Sequence, residues 1–189
     1  MMKVLKGIEE TAMSKPILDT TCGGRMMWFD KNNPLAIYCD NRNIDTVLCD
    51  GRRFRISPDI QCDFTNMPFA DNSFYLVVFD PPHLTRCTGK SKYKEIYGSL
   101  SEIPTATGWQ HIKYGGLYDN WRDMLSKGFK ECFRVLKPYG TLIFKWNETD
   151  IPTKEVLKCT PVKPLFGHIS GKRSNTHWIT FMKLPEERG

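Results

Sequence analysis

The chain carries its apolar side chains in short bursts set between turn residues. Residues 16–19 read as a strand, residues 20–24 as a turn and residues 25–31 as a helix. Residues 35–39 read as a second strand ending at Asp40, residues 60–63 as a short third, and Phe74–Phe79 as a fourth, apolar at every position. A strand apolar on both faces belongs in the middle of a parallel sheet covered by helices. Residues 84–116 show little periodicity. After them Leu117, Trp121, Leu125, Phe129, Cys132 and Leu136 recur at steps of three and four, a helical stripe stopped by Pro138. Gly140 turns the chain into a fifth strand over residues 141–146. Phe166–Ile169 and residues 178–182 read as two last strands joined by a polar turn at 170–176. Residues 1–14 predict a leading helix and residues 184–189 a solvated tail.

Strands alternating with helices imply an α/β sheet, mostly parallel. In such sheets ligands sit at the carboxyl ends of the strands, near the point where strand order reverses. That rule lines up residues 19–24, Asp40, Asp63 and residues 80–83 along one rim. Acidic residues that cap a following helix account for one or two of these. Four strands that each end in a carboxylate point instead to a site.

Composition changes this picture little. The 189 residues are 40% hydrophobic and 25% charged, an ordinary globular balance, and no repeat or linker divides them, so one domain spans 1–189. The longest apolar run is Phe74–Phe79, far short of the ~20 residues of a membrane-spanning helix. The first residues lack the apolar stretch of a secretory signal, which predicts a cytoplasmic protein. The 7 cysteines form no CxxC pair, so they read as reduced, mostly buried thiols, and no metal site is expected. A net charge of +6 is compatible with a polyanionic partner.

Two segments carry chemistry. Asp19-Thr-Thr21-Cys22-Gly23-Gly24 is a tight strand-to-helix turn where glycine lets the backbone approach a ligand. Asp40 follows Asp19 at about the ~20-residue offset of a carboxylate that accepts ribose hydroxyls. No third glycine follows, so a nucleoside without phosphates suits the turn better than a dinucleotide. Asp80-Pro81-Pro82-His83 is sharper. Two prolines fix the backbone extended and remove two amide donors, leaving carbonyls beside the Asp80 carboxylate. An acceptor-only site of this kind suits an NH2 group with two hydrogen bonds to donate.

Taken in order, Ile-Leu-Asp19-Thr-Thr-Cys-Gly-Gly, Tyr-Cys-Asp40, Cys-Asp63-Phe64 and Val-Phe-Asp80-Pro-Pro-His83 resemble the motifs of class I S-adenosylmethionine-dependent methyltransferases. The last is similar to that of the amino-methyltransferases of nucleic-acid bases. The resemblance implies a Rossmann-like methyltransferase fold: a mostly parallel seven-stranded sheet, helices on both faces, the last strand antiparallel. It implies S-adenosyl-L-methionine as cofactor. Cys22, Gly23 and Gly24 would line its methionine and sugar, Asp40 would bind its ribose hydroxyls, Asp63 its adenine amino group and Phe64 would lie beside its adenine ring, with Asp19, Thr21 and Asp80 also among the cofactor-binding residues. Asp80, Pro81, Pro82 and His83 would form the catalytic segment, with Asp80 and the Pro81 carbonyl on the target nitrogen. The chain departs from the family at two positions: Arg25 stands where the first motif ends in glycine, and His83 where a Tyr, Phe or Trp stacks on the target base.

The expected activity is methyl transfer to an exocyclic amine, adenine N6 or cytosine N4, in DNA or RNA. A protein or small-molecule acceptor, or a silent binding module, are the alternatives. Residues 84–116 form the expected lid. Arg86, Lys90, Lys92, Lys94 and Lys113 there face only Glu95 and Glu102, and Tyr93, Tyr97, Trp109 and Tyr114 interleave with them, as in segments that hold phosphates and stack bases. Lys145, Trp146, Lys172 and Arg173 are further substrate candidates.

Overall fold

The computed structural model describes residues 14–47, 53–83, 120–169 and 175–185. The leading helix, the lid with Arg86, Lys90, Lys92, Tyr93 and Lys94, and most of the turn at 170–176 lie outside the described residues.

Seven strands form one sheet: β1 (Ile17–Asp19), β2 (Ala36–Asp40), β5 (Ile60–Gln61), β6 (Phe74–Phe79), β7 (Leu136–Asn147), β8 (Phe166–Ile169) and β9 (Thr176–Met182). Their order is β5-β2-β1-β6-β7-β9-β8. All neighbours pair parallel except at β9, which runs antiparallel to both β7 and β8. The chain builds outward from β1 in one direction, then returns to β6 and builds in the other. Strand order thus reverses between β1 and β6.

Alternation along the strands divides the apolar side chains between two faces. Leu18, Ile37, Cys39, Val77, Phe79, Leu142, Phe144, Trp146, Ile179 and Phe181 face the main core. Helix α1 (Trp121–Val135) closes it with Leu125, Phe129 and Cys132, the middle of the predicted stripe, and with Val135. The short helix α2 (Thr153–Val156) and the 3-10 turn Leu157–Cys159 pack on the same side. The other face carries Ile17, Ala36 and Tyr38, covered by Cys22 and Trp28 from the segment after β1.

That segment differs from its sequence reading. Residues 25–31 are turns, not a helix. Arg25 sits at φ 54, a left-handed conformation that no helix continues through. Downstream, the Asp30 and Asn33 side chains accept from the Asn32 and Leu35 amides, which gives the backbone local partners in place of helical ones. A second difference is the antiparallel hairpin of β3 (Ile44–Val47) and β4 (Arg53–Ile56), which the pattern did not announce. β7 also begins earlier than expected, with Leu136 opposite Phe74, before a register shift that resumes at Thr141 opposite Leu76. Tyr139 bears the positive φ of 63 there. Gly140 instead supplies room, since a Cβ on it would lie 2.8 Å from Leu136 and from the Lys137 carbonyl.

Among the described residues no helix is long and apolar enough to cross a membrane.

Candidate active site

The carboxyl ends of β1, β2 and β6 bring Asp19, Asp40 and Asp80 together. Each takes the parity of the second face: Asp19 with Ile17, Asp40 with Ala36 and Tyr38, and Asp80 with Val78. Asp19 is fully buried. Its oxygens accept from the Thr21 amide (3.2 Å) and the Trp28 indole N–H (2.7 Å). Burial, reinforced by the charges of Asp80 and Asp40, raises its pKa from 3.8 to about 7 against those two hydrogen bonds. Three carboxylates therefore share one local field.

The turn after β1 hangs on β2. The Cys22 amide donates to the Cys39 carbonyl (2.7 Å) and the Gly23 amide to Asp40 Oδ2 (2.9 Å). Gly23 holds φ 49, a conformation costly for any side chain. Arg25 takes the same left-handed backbone that a glycine would, and its side chain offsets the strain. Its guanidinium donates to the Lys31 carbonyl (2.7 Å) and the Ser57 carbonyl (2.8 Å), pairs with Asp59 (3.1 Å) and lies 3.8 Å over the Tyr38 ring. Cys22 is buried, which pushes its thiol up to about 12, so it stays a neutral small group. Gly24 follows, half-buried, with the Arg55 carbonyl 3.8 Å from where a Cβ would stand.

Asp40 is 3% exposed and already saturated. Besides Gly23 it accepts from the Arg42 amide (3.0 Å), Arg42 Nε (2.8 Å) and an Arg42 terminal nitrogen (3.0 Å). Asp63 lies past the end of β5, exposed, with one oxygen taken by Thr65. Phe64 turns inward, 5.3 Å from Phe79 between ring centres, and belongs to the main core.

Asp80 begins the proline segment. Its amide donates to the Thr21 hydroxyl (2.9 Å), which ties the turn after β1 to the end of β6 across the reversal point. Its Oδ2 accepts from the Lys145 ammonium at 2.7 Å. The two side chains are 23% and 28% exposed, so this ion pair still faces open space. Pro81 is buried, and Pro82 and His83 are half-buried. Burial holds the His83 imidazole below its ordinary pKa, so the ring is neutral at pH 7.

Trp146, a substrate candidate in the sequence, lies in the main core. It alternates with Lys145, is fully buried, stacks on Phe144 (16° between planes) and donates its indole N–H to the Ile151 carbonyl. Only its edge reaches the site, T-shaped to His83 at 6.3 Å. On Lys145's own side, Trp178 of β9 stands directly opposite in register, with the ammonium 5.6 Å from its ring centre. Trp28, Arg42 and Trp178 escaped the sequence reading. Arg42 carried a signal, two residues after Asp40, whereas Trp178 depends on β9 pairing with β7 across a long stretch of chain.

No family model and no curated protein matches this chain. Solved structures do. A Pyrococcus horikoshii protein is 15% identical over 96% of this chain and 89% of its own, with a TM-score of 0.51. A Methanosarcina mazei S-adenosylmethionine-dependent methyltransferase is 13% identical over 92% and 94%, with a TM-score of 0.47. The Burkholderia thailandensis 1,6-didemethyltoxoflavin-N1-methyltransferase, solved with that substrate and S-adenosylhomocysteine, is 11% identical over 97% and 78%, with a TM-score of 0.45. The chain has the Rossmann-like methyltransferase fold, with its seven-stranded sheet and single antiparallel strand.

Proposed function

We propose that the protein is an S-adenosylmethionine-dependent N-methyltransferase acting on the exocyclic amine of a nucleic-acid base, adenine N6 or cytosine N4. One observation carries the reading: the Thr21 hydroxyl holds the Asp80 amide, so a glycine-bearing turn and an acceptor segment meet at the reversal point of the sheet.

The donor set fits that cofactor. Its ammonium, ribose diol and adenine amine are donors; Asp63 presents an exposed carboxylate, whereas Asp19 and Asp40 are buried and accept from Thr21, Trp28, Gly23 and Arg42 in the free protein. The Cys22 and Gly23 amides are committed to β2, which leaves no cradle for a phosphate. At Asp40 the diol would take over acceptor positions that the Arg42 guanidinium occupies. When bound, the cofactor supplies a methyl group on a positively charged sulfur.

The remaining chemistry belongs to the chain. An aryl amine is a poor nucleophile because its lone pair is shared with the ring. Asp80 and the Pro81 carbonyl accept its two N–H bonds and draw the nitrogen toward a tetrahedral shape. The Asp80 carboxylate then stabilises the positive charge that grows on nitrogen, the contribution that is commonly largest in such sites. Alignment in the cleft adds several kcal/mol, up to ~7–11 in ideal cases. The surplus proton leaves afterwards through Asp80 Oδ1. The basic and aromatic residues that follow His83 in sequence support a polyanionic substrate.

Asp80→Asn and Asp80→Ala should abolish methylation and leave cofactor affinity, read by calorimetry, within about twofold. Unchanged turnover in either variant removes Asp80 from the reaction. Mass spectrometry of nucleosides from DNA and RNA of cells with and without the protein tests the acceptor. No change in N6-methyladenine or N4-methylcytosine in any fraction refutes the base assignment, and absence of cofactor binding refutes the transferase itself.

A further inference from the structure

We propose that Lys145 reads the ring nitrogen beside the amine held by Asp80, so that the acceptor site selects a flat amidine edge: an NH2 group next to an unprotonated ring nitrogen. This deepens the methyltransferase reading and rests on it for the assignment of the amine to Asp80.

The argument starts from what each group has left to offer. Lys145 gives one N–H to Asp80 Oδ2 at 2.7 Å. An ammonium has three, and this one is 28% exposed. Asp80 keeps Oδ1 for a ligand. A donor and an acceptor locked 2.7 Å apart match a ligand edge whose own acceptor and donor are neighbours. A ring nitrogen taking one Lys145 N–H while the adjacent amine donates to Asp80 closes a cycle of hydrogen bonds, with the ion pair intact. The register places Trp178 opposite Lys145 on the same face of the sheet, half-buried, with its ring 5.6 Å from the ammonium. That indole supplies a flat wall against which a ring, not an alkyl chain, lies. Trp146 is excluded from this task by its burial. An alkylamine lacks the flanking acceptor, and a carboxamide lacks the ring.

The test deletes the ring nitrogen and the lysine in turn. Binding of 2′-deoxyadenosine and 1-deaza-2′-deoxyadenosine, and of 2′-deoxycytidine and 3-deaza-2′-deoxycytidine, is followed by titration calorimetry, with and without S-adenosylhomocysteine. The wild-type protein should bind each parent about tenfold or more tightly than its deaza partner, the usual contribution of a hydrogen bond from a charged donor. Lys145→Met should bind parent and deaza compound alike. Trp178→Ala should weaken both equally and keep the ratio. Equal binding in the wild type, a ratio that survives in Lys145→Met, or no binding of either parent overturns the proposal. The wild-type comparison stands even if Lys145→Met does not fold. Preference for the ring nitrogen without any methyl transfer would leave this inference in place and remove the transferase reading.

Discussion

Asp19 is a fully buried carboxyl group close to two other carboxylates, and the consequence is measurable. Its pKa is raised to about 7 in the folded protein and is near 3.9 unfolded, so the native state binds the extra proton. The stabilisation is complete below the unfolded value and is lost as pH rises through about 7. Thermal denaturation of the cofactor-free protein should show Tm falling from pH 5 to pH 8, and Asp19→Asn should flatten that slope. An unchanged slope would assign the pH response elsewhere. Arg25 gives a second contrast. Arg25→Gly loses the anchoring bonds but accepts the left-handed backbone, whereas Arg25→Ala loses both. Urea titration should place Arg25→Ala about 1 kcal/mol below Arg25→Gly. The sequence showed a motif glycine replaced by arginine. It could not show that the backbone keeps the glycine conformation, because that depends on Lys31, Ser57 and Asp59 gathering around one guanidinium.

Among the elements, α1 lies so close to the sheet that Gly128 has no room for a side chain. A Cβ there would stand 2.8 Å from both Phe64 and Phe79. Alanine at this position raises helix propensity by about 1 kcal/mol, yet overpacking costs typically 1–3 kcal/mol. Gly128→Ala should therefore destabilise the protein in chemical denaturation, while an alanine at exposed Lys130 should not. The helical stripe and the central strands were legible because their signals are local and periodic. The β3–β4 hairpin was not, since each of its strands is only four residues long and their alternation, as in Arg53-Phe-Arg-Ile56, is too short to stand out among charged neighbours. The false helix at 25–31 failed for the opposite reason: its composition allows a helix, and side-chain bonds to the backbone hold turns instead.

At the scale of the molecule, the helices among the described residues pack on one face of the sheet, and the strand-end side chains of the site take the parity of the other. Asp19, Asp40, Asp80, Lys145 and Trp178 all share the parity of the second face. The rim of carboxylates was legible in sequence because strand ends are marked by composition. The Lys145–Asp80 pair and Trp178 were not, since they exist only once β7 lies between β6 and β9. Cofactor binding should be visible globally as well. At a concentration one hundred times Kd it contributes about 2.7 kcal/mol, which raises Tm by roughly 5–10 °C in a chain of this size. Arg42 competes for Asp40 in the free protein. Arg42→Ala should thus lower the cofactor-free Tm and enlarge the shift on adding S-adenosylmethionine. A smaller shift would mean that Arg42 holds the cofactor instead of yielding to it.

Arg134 near the end of α1 reaches across to the loop that follows Asp63 and Phe64. It donates to the carbonyls of Met67 (3.0 Å) and Phe69 (2.7 Å) and pairs with Asp71, while Glu131, its neighbour one turn back, accepts from the Met67 amide. Most of these partners are backbone atoms, indifferent to which amino acids surround them. Over descent, then, this loop should keep its number of residues: insertions and deletions between Met67 and Asp71 should be rare, and substitutions should collect at Pro68 and Ala70, since Met67 and Phe69 fill the core and the Asp71 carboxylate meets Arg134.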